Sequence, residues 1–275
     1  MSTLYLVATP IGNLEDMSPR AVRILSQVTL IAAEDTRLTR KLLAHFDIHT
    51  PLTSYHEHNK RSKLDAVLAA LAEGDVALVS DAGTPAINDP GYELVRAALD
   101  SGHTITPIPG PSAPIAALSA SGLPTDSFLY LGYLPRKANE RGALLKQVAN
   151  FPYTLIFLEA PHRLLEALTD LEASLGDRQI AIARELTKVH EEIWRGTIRQ
   201  AREHFAQNPP RGEFTLVIAG QKSSSPGRWS EEKVLIAIKF GLKFGESPSA
   251  LAKRLAQESG WSRKEIYSLI TELQK

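Results

Sequence analysis

The chain has 275 residues, 31 Lys+Arg against 31 Asp+Glu, 43% hydrophobic residues and no cysteine. That length suffices for about two domains, and the absence of cysteine excludes disulfides, thiolate zinc sites, iron–sulfur clusters and a Cys nucleophile. A net charge of zero excludes a uniformly basic surface, although a local basic face remains open.

Met1-Ser2-Thr3 runs directly into Leu4-Tyr5-Leu6-Val7-Ala8, with no cationic start and no small-residue cleavage site, so no targeting signal is expected. Short runs rich in Val, Ile, Leu and Tyr then recur at residues 4–8, 30–33, 76–80, 104–108, 128–131, 154–158, 180–183 and 215–219. They are continuously apolar, as in strands covered on both faces. Helical patterns lie between them: Ala21, Ile24, Leu25 and Val28 share one face, as do Leu64, Val67, Leu68 and Leu71. Alternating strands and helices predict an α/β architecture with largely parallel sheets. The longest stretch without Lys, Arg, Asp or Glu spans residues 101–125, but Pro107, Pro109, Pro111, Pro114 and Pro124 would break a membrane-spanning helix. A soluble, cytoplasmic protein with no membrane partner is expected.

Three segments are expected: an N-terminal α/β domain at 1–125, a second α/β domain at 126–221, and a linker with a small helical extension at 222–275. Ser223-Ser224-Ser225-Pro226-Gly227 reads as the linker. Beyond it, Ser230 and Ser247-Pro248 open helices, and Ser262-Arg263-Lys264-Glu265 reads as a capping box. Residues 222–275 carry 10 Lys+Arg and 6 Glu, a net +4, which leaves the rest at −4. A basic appendage on a slightly acidic body suggests nucleic-acid contact, a solvated surface being the plainer reading. Residues 251–270 resemble a helix-turn-helix with Gly260 at the turn.

Several strands run into polar or Gly/Pro-rich clusters: Thr9-Pro10-Ile11-Gly12-Asn13, Glu34-Asp35-Thr36-Arg37, Ser80-Asp81-Ala82-Gly83-Thr84-Pro85, Pro109-Gly110-Pro111-Ser112, Glu159-Ala160-Pro161-His162-Arg163 and Arg184-Glu185-Leu186-Thr187-Lys188. Ligands of open α/β sheets bind at the carboxyl ends of strands, so these clusters are expected to converge on one cleft. No GxGxxG or GxxxxGK[ST] motif is present, which makes NAD and ATP poor candidates. Ser112 follows Pro-Gly-Pro rather than sitting in a G-x-S-x-G elbow, so a hydrolase is unsupported. His56-Glu57-His58 lacks a third metal ligand, and no metal is expected. With His56 and His58, Asn59, Lys60 and Arg61 form a possible RNA contact, and Arg136, Lys137 and Arg141 form another.

The ordered strings Thr9-Pro10-Ile11-Gly12-Asn13-Leu14, Ala33-Glu34-Asp35-Thr36-Arg37, Ser80-Asp81-Ala82-Gly83-Thr84-Pro85 with Asn88-Asp89-Pro90-Gly91, and Pro109-Gly110-Pro111-Ser112-Ala113 carry a family resemblance. So do Gly132-Tyr133-Leu134-Pro135, Pro161-His162-Arg163 and Arg184-Glu185-Leu186-Thr187-Lys188. From about Leu4 to Gly220 the chain resembles the small-subunit ribosomal RNA 2′-O-methyltransferases of the tetrapyrrole-methylase superfamily. The resemblance implies two α/β domains with S-adenosylmethionine (SAM) between them as methyl donor, and a homodimer. It implies 2′-O-methylation of a cytidine in the decoding region of small-subunit (16S) ribosomal RNA, as free RNA or in the assembled subunit.

By position it implies a SAM site of Pro10, Asp81, Ala82, Gly83, Thr84, Ile87, Ser112 and Ala113, with Leu158, Glu159, Ala183, Arg184, Glu213 and Phe214 from the second domain. The match departs at Leu158-Glu159-Ala160, where the family has an aromatic before the glutamate and a hydroxyl after it. Transfer to a weakly acidic ribose hydroxyl calls for a base or a polarising cation, and Glu34, Arg37, Glu159 and Arg184 are the candidate catalytic residues. A small-molecule methylase of the same superfamily and a helix-turn-helix regulator are the alternatives.

Overall fold

The structure is a computed structural model that describes residues 2–221 and 228–273. The expected linker at 223–227 lies outside the described residues. The chain separates into two compact units, residues 1–220 and 221–275.

The larger unit contains two five-stranded sheets. The first half alternates β1 (Thr3–Val7), α1 (Pro19–Gln27), β2 (Leu30–Ala33), α2 (Thr36–His45), β3 (Leu52–Ser54), α3 (Lys60–Glu73), β4 (Val76–Val79), α4 (Tyr92–Asp100), β5 (Thr104–Ile108) and α5 (Ala113–Ser121). Its strands pair in the order β3-β2-β4-β1-β5, all parallel. Helices cover both faces, which is why these strands are apolar without alternation. Val7, Ile31 and Val79 pack with Leu25 of α1 and Leu43 of α2, whereas Leu4, Ala32 and Leu78 pack with Val67 of α3 and Leu94 of α4. Local signals set the helix starts: Ser18 caps α1 by accepting from the Ala21 N–H at 3.1 Å, with Pro19 in the first turn.

The second sheet is built from β6 (Phe128–Tyr133), β7 (Thr154–Glu159), β8 (Gln179–Arg184), β9 (Glu192–Thr197) and β10 (Phe214–Ile218), in the order β6-β7-β10-β8-β9. Only β6 and β7 are parallel; the other three pairings are antiparallel. This corrects the expectation of largely parallel sheets. The reason is connectivity: a loop without a helix joins β8 to β9, and β10 inserts between β7 and β8. Apolar runs alone record that strands are covered but not their direction. On one face lie α6 (Ala138–Val148), α7 (Leu164–Leu175) and α8 (Ile198–Gln207). Against the other face packs α5, whose Ala117 and Leu118 meet Ile156, Ala181, Ala183 and Val217.

Among the described residues the smaller unit has three helices, α9 (Glu231–Lys243), α10 (Pro248–Ser259) and α11 (Arg263–Leu273). They enclose a core of Val234, Ile238, Leu251, Leu255, Ile266 and Ile270. The capping box forms: the Ser262 N–H donates to Glu265 Oε2 at 2.7 Å, and the Glu265 N–H donates to Ser262 Oγ at 3.2 Å. Gly260, at φ +69°, makes the turn between α10 and α11.

Candidate cofactor cleft

A cavity of about 610 Å³ opens in the larger unit at the carboxyl ends of the first sheet's strands. Asp81, Ala82, Gly83 and Thr84 follow β4, Ser112 and Ala113 start α5, and Leu158, Glu213 and Phe214 come from the second sheet; all line it, as do Ile87 and Glu34. The 81–84 turn is fixed by a two-bond bridge to the loop after β1: Thr9 N–H to Gly83 carbonyl at 2.9 Å, and Gly83 N–H to Thr9 carbonyl at 3.0 Å. The β2 end joins in, since the Asp35 N–H donates to Asp81 Oδ1 at 2.8 Å and the Asp81 N–H donates to Glu34 Oε2 at 3.3 Å.

Four predicted residues lie apart from this lining, and Pro10 is elsewhere as well. Pro10 faces a neighbouring cavity of about 270 Å³ whose walls include Leu38, Leu42 and Lys41, and the two cavities share Asp81. Arg37 is 83% exposed and ion-pairs with Asp35 at 2.7 Å. Ala183 is buried beneath the cavity wall with α5, and Arg184 ion-pairs with Glu192 at 3.5 Å. Glu159 is fully buried: it accepts from the Ala160 N–H at 2.8 Å and pairs with Arg163 at 3.3 Å, while Arg163 donates to the Leu134 carbonyl at 2.6 Å. Glu159 therefore holds the segment after β6 in place.

Sequence reasoning missed several wall residues, notably Asn88, Asp89, Tyr130 and Tyr133. Residues three apart on a regular strand face opposite ways, but the register of β6 on β7 shifts between Tyr130 and Tyr133. Gly132, at φ +65°, supplies this bulge and turns both tyrosines to the cavity. A glycine inside an apolar strand was the available signal. Gly132→Ala would place a methyl on the Asn88 side chain in a left-handed conformation. We expect a loss of about 1–2 kcal/mol by denaturant unfolding, with weakened ligand binding because Asn88 must move.

Four carboxylates line the cavity, Glu34, Asp81, Asp89 and Glu213, and no Lys, Arg or His among the described residues does. Burial pushes the Asp89 carboxyl up to about 6, with the charges of Glu34 and Asp81 adding to the shift against a hydrogen bond from Ser80. Glu34 is also raised by burial, with the Asp81 N–H opposing. Burial lifts the Tyr130 hydroxyl to about 12, keeping it a neutral donor. Such a wall favours a cationic, partly apolar ligand over a phosphate.

The other expected contacts are partly engaged elsewhere. Lys60 pairs with Glu57 at 2.8 Å and Glu93 at 2.5 Å. Arg141 is 1% exposed and bound to Glu166 and Asp170, which removes it from the expected phosphate contacts. Lys188 bridges Glu185 at 3.0 Å and Glu213 at 3.1 Å.

Residues 3–202 match the family model of the Tetrapyrrole (Corrin/Porphyrin) Methylases. A ribosomal RNA small subunit methyltransferase I of Synechocystis sp. is 50% identical over 276 residues, covering 100% of this chain and 99% of that protein. The chain belongs to the tetrapyrrole methylases, in the group of ribosomal RNA small subunit methyltransferase I. A methyltransferase of the same name from Halalkalibacterium halodurans is 46% identical over 271 residues, covering 97% and 94% of the two chains. Among solved structures, the cobalamin biosynthetic enzyme cobalt precorrin-4 methyltransferase superposes with a TM-score of 0.58 at 16% identity, covering 79% of this chain and 94% of that one. At that identity the likeness is one of fold alone.

Proposed function

We propose that this methyltransferase moves a methyl group from SAM to the ribose 2′-oxygen of a cytidine in small-subunit ribosomal RNA. The observation that carries the cofactor reading is the cavity of about 610 Å³ lined by four carboxylates, of which Glu213 is paired with Lys188 from outside the lining, and by no Lys, Arg or His among the described residues. That volume falls in the range of about 300–1,000 Å³ typical of small-molecule sites, and the charge suits a sulfonium and an ammonium. The relatives' names support the RNA acceptor.

Residues that would hold the cofactor are Asp81, Ala82, Gly83, Thr84, Ile87, Ser112, Ala113, Leu158, Glu213 and Phe214, with Asp89, Tyr130 and Tyr133 added. When bound, SAM supplies an electrophilic methyl on a positively charged sulfur. The protein's part is alignment and proton handling. Collinear placement of donor and acceptor contributes up to ~7–11 kcal/mol. The small cavity beside Asp81 is the seat we assign to the acceptor nucleoside, with Leu38 and Leu42 against the base. We assign the hydroxyl proton to Glu34, which lines the larger cavity, accepts from the N–H of the shared Asp81 and has its carboxyl lifted by burial. To Arg37, exposed in the first turn of α2 and paired with Asp35, we assign contact with an RNA phosphate. Glu159 acts through Arg163 as a positioning residue, and Arg184 braces β8 through Glu192.

The working form we propose is a cytoplasmic homodimer acting on the RNA or the assembled small subunit, with segments 1–125, 126–221 and 222–275 as its parts. The test is incubation with labelled SAM and small subunits lacking the modification, followed by digestion to nucleosides and fragment masses. The expected product is cytidine with the methyl on the sugar. A methylated base as sole product, or transfer to a tetrapyrrole alone, would overturn the reading.

A further inference from the structure

Helix α9 has two apolar faces. Val234, Ile238 and Gly241 point into the core of the small unit, as an amphipathic helix requires. Ile236, Phe240 and Phe244 form a second stripe at four-residue spacing, and they are 63%, 63% and 69% exposed. The Phe240 and Phe244 rings lie 4.6 Å apart between centroids. Exposed Lys239 and Lys243 flank this stripe, and neither makes an ion pair among the described residues. Glu232 is the acid on the same outward face, one turn nearer the N-terminus of the helix.

Two adjacent exposed aromatics bordered by lysines suit one kind of occupant. Unstacked bases present π-faces that lie on aromatic rings, and their phosphates draw lysine ammonium groups. Duplex RNA keeps its bases stacked and would use the lysines but not the rings. A second copy packed through this face about a two-fold axis would bring the two lysine pairs close together, so like charges would oppose it. We propose that the outward face of α9, through Phe240, Phe244, Lys239 and Lys243, binds single-stranded RNA. The inference rests on the RNA acceptor proposed above and puts the contact on α9 instead of the helix-turn-helix formed by α10 and α11.

Full-length protein is titrated, without SAM, against a labelled unstructured oligoribonucleotide and a duplex of equal length at several salt concentrations. Three double variants are compared: Phe240→Ala with Phe244→Ala, Phe240→Leu with Phe244→Leu, and Lys239→Gln with Lys243→Gln. Both phenylalanine variants are expected to weaken single-strand binding about 10-fold, leaving the duplex affinity and the salt slope unchanged. The leucine pair keeps apolar area without rings, so a surface built for a protein partner would tolerate it. The lysine variant is expected to flatten the log–log salt slope by about 1.4, at about 0.7 per phosphate contact on a single strand. Single-strand affinity unchanged in the phenylalanine variants overturns the proposal. A change in sedimentation coefficient with RNA affinity intact also overturns it and identifies self-association. Since this binding is read without methyl transfer, failure of the subunit methylation assay bears on the proposed reaction alone.

Discussion

Asp89→Asn is expected to make the protein more stable and a poorer binder of SAM. The carboxyl titrates at about 6 in the folded chain because burial disfavours its charge, and Glu34 and Asp81 add repulsion. Unfolded, the same group titrates near ~3.9. Between those values the folded state holds more protons than the unfolded state, so the wild-type protein loses stability as pH rises through about 6. An amide carries no such penalty. After discounting for the partial solvation of this group, the gain at pH 7 is roughly 1–2 kcal/mol, vanishing toward pH 4. Denaturant unfolding at pH 4.5 and 7.5 measures it.

Affinity moves the other way. Removing one carboxylate from a wall that faces a cation weakens SAM binding at pH 7.5 by about 10–100-fold. Wild-type binding should weaken on acidification below about 6, and the variant should be much flatter there. A bound cation favours the carboxylate, so the midpoint in the complex lies lower than in the free protein. Equal affinity and equal stability at pH 7.5 would remove Asp89 from the site.

The second large effect concerns Arg141, which is 1% exposed in α6. Its guanidinium donates to Asp170 at 2.6 Å, to Glu166 at 2.5 Å, and to the carbonyls of Pro135 and Arg136 at 3.1 and 3.2 Å. Arg141→Ala leaves those carbonyls without their donors and opens a void, which costs about 3–4 kcal/mol. The melting temperature should fall by roughly 6–16 °C. Arg141→Lys restores the charge but not the planar fork, so it should recover less than half of the loss. The same carbonyls anchor the chain just beyond Tyr133, and SAM affinity should fall modestly in both variants. A melting temperature within a degree of wild type for Arg141→Ala would show that the network carries little stability.

Four strands of the first sheet were readable because helices cover both their faces, leaving apolar runs such as Val76–Val79 with no polar residue. β9 escaped because it is an edge strand in which Glu192 and Arg195 interrupt the apolar pattern, and β3 because it has three residues. Antiparallel pairing in the second sheet was hidden since burial is similar for either direction. In the cleft, the 81–84 turn and the start of α5 were legible from their position after strands. Asp89 was not, because the chain between Ile87 and Asp89 reaches the cavity through a left-handed residue, Asn88 at φ +63°. Tyr130 and Tyr133 needed a bulge to face the same way. Arg141 reads from sequence as an RNA contact because sequence records a guanidinium without recording the carboxylates and carbonyls that surround it.

Helix α5 has a mechanical consequence. By chain order it follows β5, the edge of the first sheet, yet its buried side chains lie against the second sheet. Ser112 and Ala113, at the joint between them, line the cavity. Because Ala117 and Leu118 are buried against Ile156 and Val217, α5 belongs mechanically to the second sheet and would travel with it if the two sheets parted. A change in the gap between the sheets would then bend the chain at the joint after β5, beside Ser112 and Ala113. At the rim of the same cavity, Ala86 and Asn88, at φ +66° and +63°, hold backbone strain in the loop that carries Asp89, so both the joint and the loop border the ligand's seat.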